Sequence, residues 1–136
     1  MFIGYLDRET ELLDCYRAGD LFVFASRTET QGLVLLEALA QGTPVVSTMH
    51  MGTRDVLEHA GGARVVEEDE VTFARVAATL LGDSITRARL SQLAQLDAAM
   101  WSAGDMAERL LKIYTNTIVQ RQQPAATTQS STSAAT

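Results

Sequence analysis

The sequence predicts an α/β fold: a parallel sheet with helices on both faces, followed by further helices at the C-terminal end. Three observations predict it. Short, almost wholly apolar runs, Leu21-Phe22-Val23-Phe24 and Pro44-Val45-Val46-Ser47, have the length and continuity of strands buried on both faces. They alternate with stretches of helical period. Glycines punctuate the joins, at Gly19, Gly32, Gly42 and Gly61-Gly62. Such alternation implies right-handed crossovers and a parallel sheet of about four strands. Leu21 to Phe24 and Val45-Val46 are expected to be central and buried.

The elements follow in order. Phe2-Ile3-Gly4-Tyr5-Leu6 reads as a short buried strand and its exit turn. Asp7 is a candidate N-cap for a helix from Glu9 to Arg17, with Leu12, Leu13 and Tyr16 on one face. Ala18-Gly19-Asp20 breaks it before the run Leu21 to Phe24. Ser26 to Gln31 is a polar loop. Gly32 to Gln41 is a helix apolar nearly all round, closed by Gly42. After Pro44 to Ser47 come a loop, a short helix from Thr53 to His59, and a fourth strand, Ala63 to Val66. Glu67 to Glu70 suit a helix start, where acids meet the positive end of the dipole. Helices are expected over about 71–82, 85–98 and 103–120. From Gln122 to Thr136 the chain is Ser, Thr, Ala and Gln with one proline and no charge, which predicts a disordered tail.

Bulk properties narrow the function. The chain has 136 residues, 46% of them hydrophobic, enough for one ordinary domain. Net charge is −6, from 17 acids and 11 bases, so nucleic acid is not the expected partner. A phosphorylated small molecule is not excluded, because backbone N–H groups at a helix end can hold one. Cys15 is the only cysteine and sits at helical spacing from apolar neighbours, which reads as a buried thiol in a reducing compartment. His50 and His59 have no Cys or His cluster beside them, so no structural metal is expected. With no secretory signal and no membrane-length apolar run, the expected location is cytoplasmic, with peripheral contact at the inner face of the membrane left open.

Chemistry concentrates between Ser26 and Val46. Gly32 falls where loop becomes helix, so a ligand can approach the backbone closely. The N–H groups of Gly32, Leu33 and Val34 have no intrahelical partner there, and with the dipole they form an anion site suited to a diphosphate. Glu37 lies inside an apolar helix, about 7.5 Å along the axis from Gly32. A carboxylate there needs donors, and two sugar hydroxyls would serve. A structural ion pair with an arginine, or exposure at the sheet edge, would serve as well. Glu29, in the loop, would stand near the far end of a bound diphosphate; a solvated loop acid is the alternative.

Taken together, Glu29 and Glu37 eight positions apart, Gly32 between them, and the trailing Glu37-Ala38-Leu39-Ala40-Gln41-Gly42-Thr43-Pro44-Val45-Val46 closely resemble the retaining GT-B glycosyltransferases of family 4, also called group 1. The resemblance covers about residues 2–118, including Tyr16 to Ser26, Trp101-Ser102 and a last helix with Leu110, Leu111 and Tyr114. It implies a Rossmann-like, donor-binding C-terminal half, with residues 1–121 as a nucleotide-sugar-binding domain that is incomplete at its N-terminal side. It implies transfer of a sugar from a nucleotide-sugar to a glycolipid or polysaccharide acceptor, in cell envelope glycoconjugate biosynthesis. Glu29 matches the glutamate that orients the donor sugar at the reacting end. Thr30, Gln31, Gly32, Leu33 and Val34 match the segment at the diphosphate, Glu37 the glutamate on the ribose, and Gly4, Tyr5 and Leu6 the turn near the base. No cofactor and no metal are implied; the donor, with UDP-sugars the first expectation, is itself the substrate. Gln31 departs from the family, which often has phenylalanine there.

The family's arginine and lysine that neutralise the diphosphate, and its acceptor-binding N-terminal domain, would precede this segment. The sole lysine is Lys112, in the last helix. The segment alone is therefore expected to bind donor weakly and to be inactive. A non-catalytic nucleotide-binding or interaction module is the alternative. A pyridoxal-phosphate phosphorylase would need a better-placed lysine, and a dinucleotide oxidoreductase would need a Gly-x-Gly-x-x-Gly that no strand here precedes. The last helix carries Met106, Leu110, Ile113 and Thr117 on one stripe and Ala107, Leu111, Tyr114 and Ile118 on the next. So wide an apolar band predicts self-association of the isolated chain.

Overall fold

The computed structural model describes residues 2–122. Among them are three parallel strands and six helices. The first helix, α1, is Glu11–Ala18; β1 is Phe22–Phe24, α2 Leu33–Ala40, β2 Val45–Ser47, α3 Gly52–Leu57 and β3 Ala63–Val65. Then follow α4 (Glu70–Gly82), α5 (Ser84–Ala99) and α6 (Ala103–Gln122). Residues 2–102 form one compact unit, and α6 belongs to a second. The tail expected over 122–136 lies, from residue 123, outside the described residues.

The sheet order is β1-β2-β3, with Phe22 opposite Val45 and Val45 opposite Ala63. Its parallel pairing and its helices are those expected, and so are the elements to within a few residues. Two expectations fail. Phe2 to Leu6 is not a strand: the segment has no ladder partner, and Phe2 and Tyr5 are fully exposed. Consequently β1 lies at the sheet edge rather than its centre, and Val23 is 53% exposed. The apolar run suits burial on both faces, but burial needs a neighbour on both sides. The central strand is β2, in which Val45, Val46 and Ser47 are all fully buried.

Strand alternation splits the core in two. Val45 packs with Leu35, Ala38, Leu39, Val56 and Leu57, against α2 and α3. Val46 faces the other way, onto Leu80 and Leu90, with Phe73 and Val76 around them. The helix α2 is apolar all round because α1, α3, α5 and the sheet pack against it. Aspartates start α4 and α5: Asp69 accepts from Thr72 N at 2.7 Å and Asp83 from Thr86 N at 2.9 Å. Asp7 caps the turn leading into α1, accepting from Glu9 N, Thr10 N and Thr10 Oγ1.

Candidate functional site

The start of α2 is built around Gly32. Its φ of 70° and ψ of 20° are left-handed, a conformation that favours glycine. A side chain there would also press on Gly52 O and Val56 Cγ2, each 3.1 Å from an added Cβ. Glu29 folds back over this end: its Oε1 accepts from Gln31 N at 3.0 Å and Gly32 N at 2.9 Å. Those amides, Gln31's first and Gly32's next, hold the Glu29 carboxyl below its ordinary range. The end of α2 therefore favours negative charge. The N–H groups of Leu33 and Val34 follow in the first turn, where no intrahelical acceptor is available.

A second loop braces the first. Gly52 N donates to Glu29 O at 3.0 Å. An added Cβ on Gly52 would overlap the Thr30 carbonyl oxygen and lie 2.5 Å from Gln31 N, so only glycine fits. Met51, just before it, has φ 46° and ψ −124°. Such strain in a residue with a side chain costs on the order of 1–3 kcal/mol and gathers at functional loops. Sequence reasoning passed over both residues; the one signal was a glycine in a loop shortly after a buried strand.

Glu37 lies further along α2, at the mouth of a cavity of about 340 Å³ lined by Arg8, Leu13, Leu33, Leu36 and Trp101 among others. Its side chain is 21% exposed, accepting from Arg8 Nη2 at 2.6 Å and Tyr16 Oη at 3.2 Å. The arginine ion pair left open by the sequence is thus present, but at a cavity rim instead of in an apolar core, and Arg8 itself is 72% exposed. Burial first, and then the Glu37 charge, push the Tyr16 hydroxyl up to about 12. Tyr16 reads as apolar in the sequence, yet its ring packs on Phe22 while its hydroxyl reaches Glu37.

Leu33 and Glu37 line the cavity, whereas Glu29 and Gly32 remain at the helix end because the Glu29 carboxylate is seated on its own loop's amides. Thr30 and Gln31 are exposed, and Val34 is half-buried against the core. Gly4, Tyr5 and Leu6 do not line the cavity. Among the described residues no group of three or more His, Cys, Asp or Glu could hold a metal ion. No described helix is long and apolar enough to cross a membrane.

The chain has counterparts among known proteins. Residues 1–97 match the glycosyl transferases group 1 family. The chain belongs to that family. This group 1 domain is 29% identical over 113 residues to the colanic acid biosynthesis glycosyl transferase WcaC of Escherichia coli K12, covering 83% of this chain and 28% of that protein. It is 39% identical over 111 residues to the D-inositol 3-phosphate glycosyltransferase of Thermobispora bispora, covering 81% and 26%. Among solved structures it resembles WaaG, a glycosyltransferase involved in lipopolysaccharide biosynthesis, with a TM-score of 0.61 and 26% identity over 66% of this chain and 25% of that one. The fold is accordingly the α/β fold of a GT-B glycosyltransferase over the part that is matched. The group 1 domain described here spans about a quarter of the length of those relatives.

Proposed function

We propose that this chain supplies the nucleotide-sugar-binding part of a cytoplasmic, retaining family 4 glycosyltransferase that builds a glycolipid or polysaccharide of the cell envelope. The observation that carries the reading is the Glu29 carboxylate on the amides of Gln31 and Gly32. A group that already stabilises one intrachain anion suits the phosphates of a donor. In this reading a diphosphate takes the Gly32, Leu33 and Val34 amides. Glu29, displaced from them, turns its carboxylate to the hydroxyls of the donor sugar at the reacting end. Glu37 accepts from the ribose hydroxyls, sharing its second oxygen with Tyr16, and the exposed Arg8 swings aside or toward the phosphates.

Acceptor recognition, and the cations that offset the departing diphosphate, are assigned to the remaining three quarters of such an enzyme. The names of WcaC and WaaG support an envelope product. Saturation-transfer NMR on this chain with UDP-, GDP- and ADP-sugars tests the reading, since it detects weak binding. One nucleotide class should bind, with loss of signal in Glu37→Ala. Equal, Glu37-independent signals from all three, or none from any, would overturn it.

A further inference from the structure

Glu29 seats one oxygen, Oε1, on two amides at the head of α2, Gln31 N at 3.0 Å and Gly32 N at 2.9 Å. Gly32 N is also the first of the amides assigned above to the donor diphosphate. A single N–H does not serve a carboxylate and a phosphate together at full strength. Two anions side by side at one helix end also repel each other. The seated carboxylate and a bound diphosphate therefore exclude one another, and the chain carries its own competitor for the site.

The backbone beneath that carboxylate is held in place. Gly52 N donates to Glu29 O at 3.0 Å, and the Thr30 carbonyl packs against Gly52. Displacing Glu29 is thus a side-chain rotation, and the residue is only half-buried. What the rotation costs depends on where the carboxylate goes. A ligand shifts such an equilibrium only by its different affinity for the two states. A free nucleoside diphosphate brings its ribose hydroxyls to Glu37 and leaves the displaced Glu29 to water. A nucleotide-sugar also brings hydroxyls beyond its second phosphate, and these donate to the displaced carboxylate.

We propose that Glu29 sets the preference of this site for nucleotide-sugar over free nucleoside diphosphate. It yields its amides to a donor that carries hydroxyls, and it reclaims them once the sugar has gone, so that the spent nucleotide leaves. The inference rests on the donor-site reading above and adds a selectivity and release role to it. Its signature is opposite action by two carboxylates on the same nucleotide: Glu37 holds it and Glu29 expels it.

The test is an amide-detected NMR titration of the 136-residue chain with inorganic pyrophosphate, with UDP, GDP and ADP, and with UDP-glucose, GDP-mannose and ADP-glucose. The Gln31 and Gly32 amide signals report the site directly, and the dispersion of the spectrum shows that each variant is folded. The unmodified chain should bind the nucleotide-sugar more tightly than the matching nucleoside diphosphate. Glu29→Ala should bind the nucleoside diphosphate and pyrophosphate about 3–10-fold more tightly than the unmodified chain, and the nucleotide-sugar no more tightly. Glu29→Gln, which keeps an acceptor without the charge, should fall between the two. Glu37→Ala should weaken the same nucleotide. Nucleoside diphosphate affinity that is unchanged or lower in Glu29→Ala would overturn the proposal, and so would an equal gain for the nucleotide-sugar. Nucleotide binding by none of these chains, or binding indifferent to Glu37→Ala, would instead remove the donor-site reading and this proposal with it.

Discussion

Replacing Gly52 by alanine tests whether the two loops at the head of α2 brace one another. Gly52 is the first residue of α3, and its φ is not in the left-handed region. Alanine at an open helical position would stabilise by roughly 0.5–1 kcal/mol. Here the new Cβ would overlap the Thr30 carbonyl and lie 2.5 Å from Gln31 N. Both obstacles are backbone, so no rotamer change relieves them. The loop must retreat by about 1 Å before the Thr30 carbonyl oxygen reaches a real contact distance, breaking the Gly52 N to Glu29 O bond. Overpacking of this kind costs about 1–3 kcal/mol, which outweighs the helix gain. For a unit of this size the melting temperature should fall by about 5–15 °C. Gly82→Ala is the control: it ends α4, and an added Cβ there meets nothing within 4 Å. It should raise stability by up to about 1 kcal/mol. Circular dichroism melts of both variants decide the matter. A Gly52→Ala chain as stable as its Gly82→Ala counterpart would refute the bracing and leave Gly52 as an ordinary loop glycine.

Other expectations concern charge and association. In the full-length enzyme Glu37→Ala should weaken donor binding by about 1.5–3 kcal/mol, as read by calorimetry, and unchanged affinity would remove Glu37 from the site. Glu29→Ala should lower kcat more than it raises KM, because the contacts assigned to Glu29 concern the reacting sugar. The Asp69 and Asp83 carboxyls are held below their ordinary 3.8, chiefly by hydrogen bonds from Thr72 and Thr86. Because these folded values are depressed, the stabilisation is complete above the ordinary value and fades as pH falls through the depressed ones. Urea midpoints below pH 3.8 should therefore decline, and the double variant Asp69→Asn, Asp83→Asn should decline less steeply. Light scattering of the isolated chain should show self-association through the apolar band of α6; a clean monomer at high concentration would refute that.

What the sequence determined by itself was local. Hydrophobic period, glycine and aspartate placed the helices, the Gly42 turn and the parallel strands, because each signal acts within a few residues. The glycine at the head of α2 was legible too, because Gly32 falls where loop becomes helix, but that Glu29 turns back onto the amides of Gln31 and Gly32 was not. Only the tertiary structure decided the rest. An apolar run does not say whether a strand has one neighbour or two, so the edge position of β1 was hidden in Leu21 to Phe24. Arg8 lies 29 positions from Glu37, and Gly52 more than 20 from Thr30; such partners meet through the packing of separate helices and loops. Another cavity, of about 500 Å³ beyond the ends of β1 and β2, joins Arg27, Thr48 and Phe73 from three segments, and no spacing within one segment could have announced it.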